Sequence, residues 1–145
     1  MTTIDAALRA SAQRRPDALA LADAPNRASV LAGEPQRLSW SEVDAAVDAL
    51  AEDLARLGVG RGDSVAIQLP NVVELPISIL AAIRMGAVAV PFPIQHREHE
   101  LRHGFTVADV RAVVTADRPD RPEQLASTLS VAAELGRDIP VATFP

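Results

Sequence analysis

The stretch Leu38 to Pro93, LSWSEVDAAVDALAEDLARLGVGRGDSVAIQLPNVVELPISILAAIRMGAVAVPFP, decides the fold. Its apolar spacing changes character three times. Ser39 with Glu42 is a capping box, in which a hydroxyl takes an amide of the first turn and the carboxylate reaches back. Val43, Val47, Leu50, Leu54 and Leu57 then recur at spacings of four and three, one stripe of a helix that Gly58 ends. Ser64 to Leu69 is a short apolar run, broken only by Gln68, of the kind found in a parallel strand buried on both faces. Asn71 with Glu74 signals a second helix start, and Pro76 predicts that this start is delayed or kinked. Ala87 to Pro91 is a second strand. The order is helix, strand, helix, strand.

Outward from that stretch the alternation continues. Thr3 caps a helix that Arg14-Arg15-Pro16 stops, and Ala18 to Ala22 is a strand. Asp23 to Arg27 is a loop, and Ser29-Val30-Leu31 and Gln36-Arg37-Leu38 are expected as two small strands around Gly33-Glu34-Pro35. After the stiff segment Pro91 to Gln95, a helix is expected over Arg97 to Thr106. A strand follows over Arg111 to Thr115, then a helix from Pro122 to about Leu135, ended by Gly136, and a strand over Ile139 to Phe144. The fold class is therefore α/β, a partial doubly wound parallel sheet with flanking helices. Residues 1–37 supply a leading helix and small strands, and 38–145 the alternating α/β units.

Composition excludes several functions. The 145 residues carry a net charge of −5, with arginines scattered among acids, so no basic stripe tracks a nucleic acid. Cysteine is absent, the start has no secretory pattern, and no run approaches the roughly 20 apolar residues of a membrane span, which together lead to the expectation of a cytoplasmic protein. All 14 basic residues are arginine, so no Schiff base or phosphate-loop lysine exists among them.

Two sharper motifs yield to plainer readings. Gly58-Val59-Gly60-Arg61-Gly62-Asp63 follows a helix and opens a strand, the reverse of a phosphate loop, so it is a connection. His96, His99 and His103 fall at i, i+3 and i+7, but on an Arg/Glu-rich helix with no cysteine they are read as solvated, and no metal site is assigned. Ligand sites in such sheets gather at the strands' carboxyl ends, here Leu69-Pro70-Asn71, Pro91-Phe92-Pro93 and Thr115-Ala116-Asp117. None sets a nucleophile beside a base.

As a set, the motifs resemble the amino-terminal part of the adenylate-forming (AMP-binding) superfamily of acyl-CoA synthetases and acid–CoA ligases. Leu38-Ser39-Trp40-Ser41-Glu42-Val43 is similar to its opening motif, and Leu57 to Ala66 to its Leu-Gly-Val-x-x-Gly-Asp-x-Val-Ala turn and strand. Leu69-Pro70-Asn71 with Glu74 follows in register, and Arg84 to Pro91 resembles its Lys/Arg-x-Gly-Ala-Val-x-x-Pro motif. Arg97 to Leu101, ahead of Val113-Val114-Thr115, leans toward ligases of fatty or cyclic acids. The resemblance implies two half-reactions: a carboxylate attacks the α-phosphate of ATP to give an acyl-adenylate, and coenzyme A then displaces AMP. ATP, magnesium and coenzyme A are implied for the complete enzyme and no cofactor for this chain. The family's phosphate loop, magnesium glutamate, ribose aspartate and catalytic lysine have no counterparts here.

By position, the resemblance assigns Phe92 and Pro93, with Arg118 and Arg121, to the coenzyme's nucleotide, and no catalytic residue. It implies an incomplete amino-terminal subdomain of an acid–CoA ligase, inactive alone, that associates with itself or with a complementing C-terminal fragment. A stand-alone non-catalytic binding or regulatory module of the same fold is the alternative.

Overall fold

A computed structural model describes residues 2–145. Helix α1 (Ile4–Arg14) starts at Thr3, whose hydroxyl accepts the Ala6 N–H at 3.1 Å. Strands β1 (Leu19–Ala22) and β2 (Arg37–Ser39) pair antiparallel, and β2 runs directly into α2 (Trp40–Arg56). The predicted capping box closes that junction: Ser39 Oγ accepts the Glu42 N–H at 3.3 Å, and Glu42 Oε2 accepts the Ser39 N–H at 2.7 Å. Val43, Val47 and Leu54 of the stripe are buried, while Leu57, at the helix's end, is 41% exposed. Gly58 takes a φ of +88°, the left-handed turn a glycine allows at least cost.

The remaining elements are β3 (Ser64–Ile67), α3 (Glu74–Arg84), β4 (Val88–Pro91), α4 (Glu98–Val107), β5 (Val110–Ala116), α5 (Glu123–Glu134) and β6 (Val141–Phe144). The last four strands form one parallel sheet in the order β4-β3-β5-β6. Side chains of the central pair alternate between two cores. Val65, Ile67, Ala112 and Val114 pack with α2 and α3, whereas Ala66, Val110 and Val113 pack with α4 and α5. From β3 the chain crosses by α3 to one side, then returns by α4 to β5 on the other. The strand order therefore reverses between β3 and β5, where doubly wound sheets open a crevice.

Two local expectations are corrected. Residues 29–31 are not a strand. A 3-10 turn spans Arg27–Ser29, the Val30 and Leu31 N–H groups return to the Arg27 carbonyl, and β2 pairs with β1 instead. Asn71 does not cap α3. The helix begins at Glu74, three residues after Asn71, so that Pro76 falls in its first turn, where a missing N–H costs least. Asp23 Oδ1 accepts the Val73 N–H at 2.8 Å in place of a local cap.

Two buried arginines fasten the helical layer. Arg27 is 4% exposed and donates to Glu74 Oε1 at 2.6 Å, Glu74 Oε2 at 2.8 Å and Asp23 Oδ2 at 2.8 Å. The Glu74 carboxylate holds its guanidinium above its ordinary pKa. Arg84, in α3, donates to Asp5 of α1 at 2.6 Å and to Asp44 and Asp48 of α2 at 2.5 and 2.9 Å. Burial pushes the Asp23 carboxyl up, but the Gln36 and Val73 amides and Arg27 outweigh it, and the net shift is downward. Asp5 behaves alike, burial being outweighed by Arg84 and Arg9.

Substituting Arg27→Met leaves two carboxylates buried without their cation and is expected to cost about 3–5 kcal/mol in urea denaturation; a loss under about 1 kcal/mol would contradict the network. Because the folded pKa values of Asp5 and Asp23 are depressed, the stability they contribute is complete above the unfolded carboxylate value of about 3.9. That stability is lost as pH falls through their lower folded values. An acid titration of unfolding free energy checks this.

Candidate functional site at the carboxyl edge of the sheet

At the end of β3 the apolar strand delivers a polar residue into the interior. Gln68 is 1% exposed and lies where the strand order reverses. Its amide nitrogen donates to the carbonyls of Pro93 and His96, both at 3.1 Å, on the loop that leaves β4. Its Oε1 accepts the Thr128 hydroxyl of α5 at 3.2 Å. Its backbone carbonyl accepts the Thr115 hydroxyl at 3.2 Å and the Gln124 amide at 3.3 Å. Gln124 Oε1 in turn accepts Arg118 Nη1 at 2.9 Å. Side chains of this chain thus fill the crevice with a closed polar network, as buried polar groups require.

The four residues assigned by resemblance occupy different settings around that network. Phe92 turns inward, edge-on to Phe105 at a centroid distance of 5.4 Å and beside His96 at 6.3 Å. Pro93 is exposed and offers its carbonyl to Gln68. Arg118 is 2% exposed, with Nε and Nη2 on Asp120 at 3.0 and 2.6 Å and Nη1 on Gln124. Arg121 is half-buried and makes no ion pair among the described residues. It borders a cavity of about 10 Å³, lined also by Ile94, His96, Arg97, Gln124 and Ser127. Such a space holds one water and no more. His96 Nδ1 is buried there without a partner among the described residues. A phosphate would meet Arg121 and Arg97 only at the rim, where the Glu123 carboxylate also stands.

Among the described residues, no group of three or more His, Cys, Asp or Glu is placed to hold a metal ion, and no helix is long and apolar enough to cross a membrane. The glycine loop lies at the amino end of β3, where the Gly60 N–H donates to Asp63 Oδ2 at 2.8 Å and the Gly62 N–H to the Gly86 carbonyl at 2.9 Å. It is a connection, remote from the carboxyl edge. Reading for ligands overlooked Gln124 and Thr128. The signal available was Gln68, the one polar break in an apolar strand.

The family model for AMP-binding enzyme matches residues 8–142. The chain belongs to the AMP-binding enzyme family. It is 37% identical over 115 residues to a salicyl-AMP ligase / salicyl-S-ArCP synthetase of Mycobacterium tuberculosis, covering 79% of this chain and 20% of that protein. It is 38% identical over 89 residues to an acetyl-coenzyme A synthetase of Rubrobacter xylanophilus, covering 61% of this chain and 14% of the relative. Among solved structures, the N-terminal domain of FACL13 from Mycobacterium tuberculosis, with inhibitor bound, superposes with a TM-score of 0.82 at 23% identity, over 99% of this chain and 34% of the other. MbtA of Mycobacterium smegmatis matches at 0.76 and 29% identity, over 98% and 24%. This AMP-binding chain therefore spans a fifth or less of the length of these curated relatives.

Gly104 of α4 gives way to the Phe92 ring, since a Cβ there would lie 2.2 Å from it. Gly104→Ala gains helix propensity but forces the ring out. A net loss of about 1–2 kcal/mol in chemical denaturation is expected, and a gain would contradict the contact.

Proposed function

We propose that these 145 residues form the amino-terminal scaffold of an ATP-dependent carboxylic acid–CoA ligase that works through an acyl-adenylate, and that alone they do not catalyse it. The family match over residues 8–142 carries this reading. The state of the carboxyl edge supports the inactivity: Gln68, Thr115, Arg118, Gln124 and Thr128 are committed to one another, no nucleophile stands beside a base, and the chain contains no lysine to meet a transferring phosphoryl group. The acid is of the fatty or cyclic/aromatic class; identity to a salicyl-AMP ligase favours the aromatic side. Purified chain is expected to show no ATP–pyrophosphate exchange with any such acid. Exchange above background would overturn the assignment as scaffold.

The part proposed for this chain is to border the nucleotide of coenzyme A, in a cytoplasmic enzyme completed by a C-terminal fragment or by self-association. Phe92 and Arg118 hold their loops from inside, Pro93 shapes the rim, and Arg121 reaches a phosphate. A guanidinium without an internal partner is the group such an anion recruits. In calorimetric titration with coenzyme A, Arg121→Ala should weaken binding about tenfold, the loss of one charge-assisted hydrogen bond, whereas an unchanged affinity would remove Arg121 from the site. Absence of coenzyme A binding, together with a partner whose affinity ignores Arg121, would favour the non-catalytic module.

A further inference from the structure

Gln68 belongs to none of the motifs that carry the family resemblance, yet its hydrogen bonds reach the loop after β4, strand β5 and helix α5. Its two N–H groups hold the loop 92–97 by the carbonyls of Pro93 and His96. Its carbonyl oxygens hold Thr115, Gln124 and Thr128. Through Gln124 the network reaches Arg118, whose bidentate grip on Asp120 shapes the loop carrying Arg121. The two loops rise from strands that are not neighbours, since β3 stands between β4 and β5. Gln68, at the end of β3, lies between them: its carboxamide holds the first loop and Thr128 of α5, and its backbone carbonyl holds Gln124, which holds Arg118 of the second.

A methionine or leucine at this place would satisfy the packing of a buried strand end. It would leave the Pro93 and His96 carbonyls without the amide that holds them and take the Oε1 acceptor from Thr128, while the backbone carbonyl of residue 68 would still hold Gln124. The buried amide is therefore costly unless complete, and completeness fixes both loops in one arrangement. The neighbouring contacts show the fixing: the His96 N–H donates to the Pro93 carbonyl at 3.1 Å and the Arg97 N–H to Glu100 Oε2 at 3.0 Å, which makes the loop a closed turn leading into α4.

From this arrangement we propose that Gln68 is a positioning residue for the anion-binding rim, locking the loop of Pro93 to Arg97 against the loop of Arg118 to Arg121. The inference deepens the coenzyme reading and rests on it only for the identity of the ligand. Gln68 touches no ligand itself. Its work is to set the separation between Arg97 and Arg121 before a phosphate arrives, so that binding does not have to order either loop.

Amide hydrogen exchange of the unliganded chain tests the lock without any ligand. In Gln68→Met, exchange at His96 and Arg97 should rise about tenfold or more beyond any change at Val113 and Val114 of β5, as expected for the loss of two hydrogen bonds. The Thr128→Val control, which removes the Oε1 partner and the bond to the Gln124 carbonyl but keeps both amide bonds to the loop, should leave His96 and Arg97 close to wild type. Equal acceleration at every amide, or none at His96 and Arg97, would overturn the proposal. If Gln68→Met does not fold, Gln68→Asn keeps a polar group but cannot span both carbonyls, and the same comparison decides. Titration with coenzyme A then separates the two claims. Weakening in Gln68→Met with Arg121 intact supports positioning, and full affinity in a variant with a loosened loop overturns it. A wild-type chain that binds no coenzyme A defeats the ligand assignment, while the exchange result still judges the lock.

Discussion

The β3–β5 pair has helices on both faces, and this constraint shapes everything else. Strands enclosed on both sides disfavour charge, so Val65, Ala66, Ile67, Ala112, Val113 and Val114 alternate between two apolar cores, and the one charged side chain of the pair, Arg111, sits near the start of β5, where it is exposed. Polar chemistry is pushed to the strand's end. There Gln68, directly after the apolar run, arrives buried and has to find a partner for each of its groups. It finds them on one loop, on β5 and on α5, and the carboxyl edge acquires its shape from that accounting rather than from a ligand.

The helical layer is held by a different device. Arg27 and Arg84 each gather carboxylates from separate elements, joining the β1–β2 loop to α3 and joining α1, α2 and α3 to one another. Buried pairs of this kind return little net stability over apolar packing, because desolvation offsets most of the attraction. They are nevertheless exacting, since removing one member strands the others. Their geometric consequence is to fix where α3 begins, and the start of α3 fixes how Leu69-Pro70-Asn71 leaves the sheet.

Much of this was legible in the sequence, and the boundary between legible and hidden is physical. Ser39 and Glu42, the alternation of spacing from helix to strand and the glycines at 58 and 136 are local signals, decided within a few residues, and they placed every element of the main sheet. What misled was non-local. Asn71 has the chemistry of a cap, but Asp23, far back in the chain, took the N-terminal amide of α3 instead. Residues 29–31 had the composition of a strand, but Arg27 had a stronger claim on that loop through Glu74, 47 residues away. Arg84 meets Asp5 across 79 residues, which no spacing announces. At the candidate site the resemblance pointed to the loops that bear Phe92, Pro93, Arg118 and Arg121. It did not reveal that Arg118 is turned inward to Asp120 and Gln124 while Arg121 remains without an ion pair.

Membership of the AMP-binding family and the fold of its N-terminal domains are established by the match of residues 8–142 and by the superposition with FACL13. The proposal that this chain borders a coenzyme nucleotide places the contact on one face of one edge, around Arg97 and Arg121. The most direct measurement is a map of backbone amide chemical shifts in the isotope-labelled chain as coenzyme A is added. The account predicts saturable shifts confined to residues 94–97 and 119–127. Shifts concentrated elsewhere, such as in the apolar groove lined by Ile4, Leu8 and Trp40, or none at millimolar coenzyme, would contradict it.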